Sequence, residues 1–512
     1  MKKREKTGRG RTYAGGTALR LTALLLCAVF SATALLACGE PGGKEQGQGG
    51  EDSGSLPAVT TGGGESAVTG DGDGEFIRDS LPDSLDFGGA PVKVLYWDAE
   101  NPEFFVEGET GTALNDTIWE RNIAVQERLG VTFDFILCKG SYNYVNEYLT
   151  NVKNSVNGGT PYDILATYSM TAGTVAYNGL TSDLMKQPWL DFEKPWWPDS
   201  MIEQSSINGQ LHFASGDIST NVLYMMYAMY YNKDLAADLN IADPFSFVES
   251  GEWTFDKMAE LGKGVYADLD SDTKLSSGDR YAQSCYALHM EAFIWGAGLV
   301  GLKNDDGILE VDSDFIGEKG ATLTDKVYEY LNSRDAAIVS DYKNIFRDGR
   351  SLFITDRADI AIFDLGERTF SMGILPIPKF SADQEDYHTM TGNPFTLYEI
   401  PINAPDPAMS AAVIECQASE GYRRTTPAIF ELSLKTRYAD GGEAPLAYDL
   451  LRNGTVFDLS RIFAMVIKTG GASLTDLYNK QITDHKVSWS TQYKAYRKGI
   501  EKVVSDINAA FA

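Results

Sequence analysis

The chain has 512 residues and a formal net charge of −28, from 44 basic and 72 acidic residues. This acidic balance argues against nucleic acid and anionic lipid surfaces as partners, and it favours a soluble, self-repelling surface. The length leaves room for two sizeable cores. Beyond residue 38 the cysteines are Cys138, Cys285 and Cys416. Their wide spacing indicates buried small hydrophobes rather than a disulfide framework or a metal cluster.

Residues 1–37 have the composition of a secretory leader. Basic residues come first, an apolar run follows over residues 21–36, and small residues precede Cys38. This order is typical of a signal peptide rather than of a membrane span. With cysteine directly after the cut, the leader resembles that of bacterial lipoproteins, which implies a diacylated Cys38 on the outer face of the cytoplasmic membrane. The alternative is an ordinary secretory leader in which Cys38 is incidental.

Residues 38–85 are predicted to form a disordered tether after the lipidated cysteine. Between residues 39 and 74 the chain is almost entirely Gly, Ser, Thr, Glu, Asp and Gln, and it contains no aromatic residue. Such a segment cannot bury enough apolar surface to offset the entropy lost on ordering. A lipid anchor followed by a slack linker suits a domain that reorients near a membrane partner.

An alternating α/β pattern begins at residue 91. Strands are predicted at residues 91–97, 131–137 and 162–166, with helices at 112–129 and 143–156 between them. Strands that alternate with helices imply parallel crossovers and a doubly wound sheet.

Two segments should meet at one rim of this sheet, because ligands of such sheets lie beyond the carboxyl ends of the strands. Trp97 and Asp98 follow the first strand, and Tyr168, Ser169 and Met170 follow the third. Trp97, Asp98, Tyr168 and Ser169 are therefore predicted to bind ligand. The alternative is that Trp97 and Tyr168 only form the edge of the core.

A set of ordered motifs then carries a family resemblance. The motifs are PYDILATY, INGQLHFASGD, MYYNKDL, EWTFDKMAEL, IFRDGRSLFIT, MGILPIPKF and NPFTLYEIPINAPDPAMSAAVIE. In this order and spacing they resemble extracellular solute-binding protein family 1, the capture subunits of ABC importers, commonly for sugars and oligosaccharides. The resemblance covers nearly all of the chain from residue 91 onward.

The resemblance implies an α/β, two-lobed, periplasmic-binding-protein-like fold with discontinuous lobes and a ligand cleft between them. Lobe 1 is expected to comprise residues 88–211 and 394–455, and lobe 2 residues 212–393 and 456–512. Crossings between the lobes are predicted near residues 206–217, 393–400 and 453–460. The implied partners are a sugar or oligosaccharide and the membrane subunits of an ABC importer, and we expect a monomer.

Three further ligand residues are predicted in the later part of the chain. Trp295 lies beside Gly296 and Gly298, in the segment where the family places binding aromatic residues. Asp364 matches a point where relatives carry ligand-facing residues, often Trp, which leaves a hydrogen-bonding role here. Asp217 is a further acceptor. The pair Trp196 and Trp197 leaves two interpretations open, an exposed sugar platform or, favoured by the adjacent prolines, a structural plug.

An acidic loop at residues 268–279 resembles an EF-hand calcium loop. Asp268, Asp270, Asp272 and Asp279 occupy positions one, three, five and twelve, and Lys274 occupies position seven. Two departures are a threonine at position six, where glycine is usual, and the shorter aspartate at position twelve. A structural Ca²⁺ is therefore possible and no cofactor is required; the alternative is a solvated acidic loop.

The competing function is a secreted lipoprotein glycosidase, for which two nearby carboxylates would suffice. The four histidines are scattered without zinc-binding spacing, and no nucleophile elbow, P-loop or dinucleotide fingerprint is present. We therefore expect a binding protein rather than an enzyme. The sequence does not name the sugar, and it leaves a peptide or another polar solute open.

Overall fold

In a computed structural model of the protein, the structure describes residues 77–99, 103–430 and 443–512. The predicted leader, Cys38 and most of the predicted tether lie outside these residues. Within them, no helix has both the length and the apolar character needed to cross a lipid bilayer.

Thirteen strands run through the described residues. In chain order, β1 to β13, they are Ala90–Trp97, Val131–Cys138, Ile164–Tyr168, Tyr227–Asn232, Tyr281–Cys285, Leu302–Asp305, Ile308–Val311, Ala336–Ile338, Ser351–Arg357, Met372–Leu375, Thr389–Met390, Thr396–Glu399 and Thr455–Val456.

Nineteen α-helices lie wholly within the described residues, and residues 426–430 are also helical. In chain order, α1 to α19, they are Ala113–Leu129, Val145–Val156, Ser169–Tyr177, Asp199–Ser205, Thr220–Tyr224, Lys233–Asp238, Pro244–Glu249, Phe255–Gly262, Ala292–Gly296, Ser313–Ile316, Glu318–Leu331, Tyr342–Arg347, Ile360–Phe363, Pro407–Glu420, Glu443–Asn453, Leu459–Ile462, Ala464–Ile467, Leu474–Asp484 and Trp489–Ala510.

Lobe 1 is built on a four-stranded sheet in the order β12-β3-β1-β2. Strand β1 pairs in parallel with β2 and β3, while β12 returns from later in the chain and pairs antiparallel with β3. The parallel strands alternate with α1 and α2, as the sequence predicts. Left-handed Gly130 ends α1 at a φ of 58°, which allows the immediate turn into β2.

Lobe 2 is built on a five-stranded mixed sheet in the order β10-β4-β9-β5-β8. Strand β9 pairs antiparallel with β4 and parallel with β5. The long C-terminal helix α19 packs into the core of this lobe through residues such as Ile500 and Ile507. Thr254 caps α8, since its Oγ1 accepts from the backbone N–H of Lys257 at 3.2 Å.

The apolar, aromatic-rich run at residues 222–231 predicts one long buried strand, but the structure divides it into two elements. Its residues form the end of α5 and most of β4, with a break between Tyr224 and Tyr227. All of these residues are buried. A fully buried apolar run has no periodicity that distinguishes a helix from a strand, which explains the error.

Three segments of the described chain join the lobes. The first spans residues 207–222 and places side chains in both cores, such as Phe213 in that of lobe 2 and Leu211 in that of lobe 1. The second contains β12. The third follows α14, which continues into a π-helical turn at Gly421–Thr425, and Ile429 is already part of the lobe 2 core.

The third crossing therefore lies earlier than the predicted residues 453–460. Helix α15 packs on the lobe 2 side, with Tyr448 and Leu451 in that core, whereas residues 394–455 are predicted to belong to lobe 1. The cause is the length of α14: its π-helical extension carries the chain across before α15 begins. Lobe 1 thus receives a shorter second segment than predicted.

Candidate ligand-binding cleft

A cleft of about 340 Å³ lies between the lobes, at the carboxyl ends of β1 and β3. Lobe 1 contributes Tyr142, Tyr168 and Met170 to its lining, and the second crossing contributes Asn393 and Pro394. The opposite wall comes from lobe 2 and from the helices near the C-terminus. Its polar members are Tyr227, Glu291, Arg357, Arg461, Lys468, Ser473, Thr475, Asp476 and Asn479.

The lobe 1 wall is uncharged and aromatic. Tyr168 is the last residue of β3, and its ring meets that of Trp97 edge-on, with centroids 5.1 Å apart. Trp97 is buried behind it and donates from Nε1 to Oγ1 of Thr396 at 2.8 Å. Burial raises the pKa of Tyr168 well above its ordinary value. The phenol therefore stays neutral, and its hydroxyl donates to the sulfur of Met170 at 3.5 Å.

Asp98 supports this wall from outside the cleft lining. Its Oδ1 accepts from the backbone N–H groups of Gly140 at 2.8 Å and Ser141 at 3.1 Å. These bonds hold the loop that carries Tyr142, whose side chain lines the cleft and is half exposed. Asp98 lies at the predicted rim, and the structure shows it bonded to this loop.

Two strand ends form the floor of the opposite wall. Tyr227 begins β4, Arg357 ends β9, and the two residues are direct partners in the antiparallel register. Directly opposed residues share one face of the sheet, so their side chains lie next to each other. Burial raises the pKa of Tyr227 to about 12. Trp295 stacks behind Tyr227, with ring centroids 6.1 Å apart and planes 12° from parallel.

A buried ion pair stands beside these residues. Glu291 and Arg461 are 1% and 5% exposed, and the guanidinium donates to Oε2 of Glu291. Asn479 donates to the other carboxylate oxygen, and Arg461 Nε donates to Oδ1 of Asn393 at 3.1 Å. The Arg461 guanidinium also lies 5.7 Å from the Trp295 ring. Burial raises the pKa of Glu291, and Arg461 offsets part of that rise.

The predicted ligand residues are thus only partly brought together. Tyr168 lines the cleft, and Trp97 and Trp295 support aromatic residues that line it. Trp295 is 1% exposed and donates from Nε1 to Oδ2 of Asp458 at 3.1 Å. Ser169 donates from Oγ to the backbone carbonyl of Asn393 at 2.5 Å and so fixes the second crossing. Direct ligand contacts at these positions stay predictions.

Asp217 and Asp364 lie outside the residues that line the cleft. Asp217 is buried between two crossings, where it accepts from Thr426 at 2.5 Å and forms an ion pair with Arg452 at 3.1 Å. Asp364 follows the short helix α13, and its carboxylate pairs with Lys343 at 2.6 Å. Both carboxylates therefore have protein partners in the structure.

Sequence reasoning missed Arg357, Arg461 and Tyr227. A signal existed for Arg357, because it directly follows an apolar strand, where ligand groups of α/β sheets are found. No local pattern marks Arg461, which reaches the cleft from a short helix late in the chain.

The Trp196–Trp197 pair is a structural plug. Both indoles are buried, and their Nε1 groups donate to the two carboxylate oxygens of Glu415 at 3.1 and 2.9 Å. Burial raises the pKa of Glu415 to about 7. An exposed sugar platform at this position is ruled out by the burial of both rings.

The acidic loop gathers three of its predicted metal ligands. Oxygen atoms of Asp268, Asp270 and Asp279 lie within 4.8 Å of one another, and Asp279 is fully buried. Asp272 instead accepts from the backbone N–H of Lys274 at 2.7 Å. Oxygens are the ligands that Ca²⁺ prefers, so these residues fit the ion. Calcium binding here, with Asp272 and Lys274 as further ligands, stays a prediction.

The sequence matches no protein-family model and no curated protein. Solved structures do match. A family 1 extracellular solute-binding protein from Bifidobacterium longum subsp. infantis is 15% identical, with a TM-score of 0.53, over 80% of this chain and 99% of that one. A cyclo/maltodextrin-binding protein complexed with maltotetraose is 12% identical, with a TM-score of 0.54, over 81% and 97%.

A third match is the cyclic alpha-maltosyl-1,6-maltose binding protein from Arthrobacter globiformis, 14% identical with a TM-score of 0.54, over 81% of this chain and 99% of that one. The chain has the two-lobed fold of these solute-binding proteins. The predicted fold class is confirmed, and the cleft described above lies between the two lobes of that fold.

Proposed function

We propose that this protein captures a sugar or oligosaccharide outside the cytoplasm and delivers it to an ABC importer. The observation that carries the proposal is the cleft between two lobes, which sets aromatic rings on one wall against fixed polar groups on the other. Aromatic faces bury the apolar faces of sugar rings, and forked polar side chains bond their hydroxyls. Lobes joined by only three described segments can close around such a ligand.

The similar structures support this ligand class. One of them was determined with maltotetraose, and another is named for binding cyclic alpha-maltosyl-1,6-maltose. Their low identity to this chain leaves the choice of sugar to the residues of its own cleft.

The proposal includes a lipid anchor at Cys38, which the leader sequence supports. Two acyl chains give stable membrane attachment that a bare polar tether does not. Cys38→Ser should therefore release the protein from the membrane fraction. A variant that still sediments with membranes after the leader is cut would remove the anchor from the proposal and leave the capture function standing.

A glycosidase needs two carboxylates that are free to transfer protons or attack the sugar. In the described part of the chain, the carboxylates that line the cleft are Glu291 and Asp476. Glu291 is held by Arg461, and Asp476 pairs with Lys468 at 3.2 Å while it caps α18. Both are committed to protein partners, which favours binding over hydrolysis.

Calorimetry of the mature chain against a panel of oligosaccharides tests the proposal, with chromatography of the recovered sugar. We expect saturable binding of at least one sugar, which is recovered unchanged. Hydrolysed sugar would place the protein among the enzymes. If the protein binds peptides and no sugar, the proposed substrate class is wrong, although the assigned fold is unaffected.

A further inference from the structure

The cations of the cleft are unequally neutralised. Three cationic side chains line the cleft, namely Arg357, Arg461 and Lys468. Arg461 has Glu291 as its carboxylate partner, and Lys468 has Asp476 at 3.2 Å, and both carboxylates line the same cleft. Arg357 is the remaining cation.

The guanidinium of Arg357 has weak partners among the residues that the structure describes. Its Nη1 donates to the thioether sulfur of Met225 at 3.3 Å, and its Nε lies 4.0 Å from Oδ1 of Asp356. That carboxylate is already engaged, because it pairs with Nδ1 of His289 at 3.0 Å and accepts from the hydroxyl of Tyr342 at 2.5 Å. Most of the N–H donors of Arg357 therefore remain available.

Arg357 lines the cleft. Its side chain is 28% exposed and stands beside Tyr227 at the strand ends that form the cleft floor. Asp356 and Asp359 act on this cation electrostatically. Closing the lobes on a neutral ligand would nevertheless remove water from the guanidinium without giving its N–H donors a close acceptor, which is unfavourable. An oxyanion on the ligand would supply that charge and match the planar fork of the guanidinium.

We propose that the captured sugar is acidic, and that Arg357 binds its carboxylate or sulfate group. The inference rests on the proposed function and narrows it to one class of carbohydrate. Its support is the geometry of Arg357, whose ion-pair distance of 4.0 Å is the longest among the cations that line the cleft in the described residues.

The test uses matched acidic and neutral sugars. The probes are oligogalacturonates with their methyl esters, oligoglucuronates with their carboxyl-reduced forms, and sulfated disaccharides with their unsulfated forms. Calorimetry is run on residues 38–512 carrying Cys38→Ser, with and without Arg357→Gln. We expect the preferred acid to bind at least about tenfold more tightly than its neutral twin, since charged hydrogen bonds are the stronger class.

Arg357→Gln should weaken binding of the acid roughly 10- to 100-fold and leave the neutral twin nearly unchanged. Arg357→Lys keeps the positive charge but lacks the planar guanidinium, so its affinity for the acid should lie between those of the natural protein and Arg357→Gln. Arg334→Gln is the matched control, because it removes the same charge from an exposed lobe 2 arginine outside the cleft lining, over the Tyr266 ring. This control should leave the affinity for both the acidic and the neutral sugar unchanged. Thermal melts of each apo protein verify folding.

Three outcomes decide the matter. If the protein binds only neutral sugars tightly, the proposal of an acidic ligand is wrong, but the proposed capture of sugars still holds. Equal weakening of the acid and its neutral twin by Arg357→Gln would show that Arg357 bonds hydroxyls, and would also overturn the proposal. Absence of binding to every sugar would overturn the proposed function itself. The uronate and sulfate arms identify which oxyanion is preferred.

Discussion

Three buried glutamates of lobe 1 differ in their partners from Glu291 of lobe 2. In lobe 1, Glu103, Glu399 and Glu415 are buried with neutral hydrogen-bond donors: Ser219 and Asn221 donate to Glu103, and Thr167 donates to Glu399. Burial raises the pKa of each of these three carboxyls. In lobe 2, Glu291 is buried against Arg461.

The difference matches the two walls of the cleft. The lobe 1 wall presents tyrosines and a methionine, so it can hold apolar ring faces whatever the charge of the ligand. The opposite wall keeps ionised groups fixed by ion pairs, and Arg357 beside them is open to a ligand. We infer that lobe 1 supplies general affinity and lobe 2 supplies selectivity. Each prediction below tests one side of this division.

The largest effect is expected from breaking the lobe 2 ion pair. Glu291→Ala leaves the Arg461 guanidinium buried, with Asn393 as its remaining side-chain acceptor among the described residues. Removing one partner of a buried pair typically costs about 3–5 kcal/mol, because the other charge loses its compensation. Urea unfolding of the apo protein should show a loss of that size.

Lys480→Ala serves as the control, since it breaks an exposed pair with Asp484 in the same lobe. This variant should lose less than about 1 kcal/mol of unfolding free energy. A similarly small loss for Glu291→Ala would mean that Arg461 is compensated in another way, and the contrast between the lobes would weaken.

The lobe 1 carboxyls predict a specific pH dependence. Burial raises the pKa of Glu103 to about 7, well above its value in the unfolded chain. As the pH rises from about 4.5 to 7, the unfolded chain releases this proton while the folded chain keeps it. The stabilisation by Glu103 is therefore complete below about pH 4.5 and lost by about pH 7.

Glu103→Gln mimics the protonated form and should remove about 2–3 kcal/mol of this fall in unfolding free energy. At pH 4 the variant and the natural protein should have similar stability, which serves as the internal control. Urea titrations at several pH values measure both. The buried Arg121 acts on Glu103 electrostatically. If the unfolding free energy of the variant changes with pH as in the natural protein, Glu103 is charged in the folded state and forms an ion pair with Arg121, as Glu291 does with Arg461 in lobe 2.

The acidic loop of lobe 2 should affect stability without affecting the cleft. If Ca²⁺ binds the folded loop, it should stabilise the protein by about 2.7 kcal/mol at one hundred times its dissociation constant. Asp268→Ala with Asp270→Ala should abolish the rise in melting temperature. Asp383→Ala with Asp386→Ala, an exposed pair elsewhere in lobe 2, is the control. A calcium response that survives in the first variant would exclude this loop as the site.

Several features of the fold and the rim could be predicted from the sequence alone. Alternation of strands and helices indicated the parallel lobe 1 sheet, and the rule for ligands at strand ends placed Trp97 and Tyr168 together. Residues 268–279 could be recognised as a candidate calcium loop because their carboxylates are close together in sequence.

Other features depend on contacts between distant segments. Arg461 reaches Glu291 across 170 positions, and no local pattern encodes such a pairing. Asp217 and Asp364 looked available for a ligand because sequence does not show that Arg452 and Lys343 reach them. The third crossing was misplaced because a π-helical turn has no strong sequence signature.

The smallest predicted effect tests the uncharged wall. Tyr168→Ala removes an aromatic face of lobe 1 and should weaken sugar binding by roughly 1–3 kcal/mol, the range for losing a large apolar contact. Because the lost contact carries no charge, acidic and neutral sugars should lose the same amount, unlike in Arg357→Gln. Tyr168→Phe keeps the ring and should retain most of the affinity. Asp364→Ala, outside the cleft lining, should leave calorimetric affinity unchanged. Tyr168→Ala could instead lower the affinity for acidic sugars alone while the apo protein keeps its normal stability. This result would show that the lobe 1 wall also discriminates by charge, and it would contradict the division between the lobes.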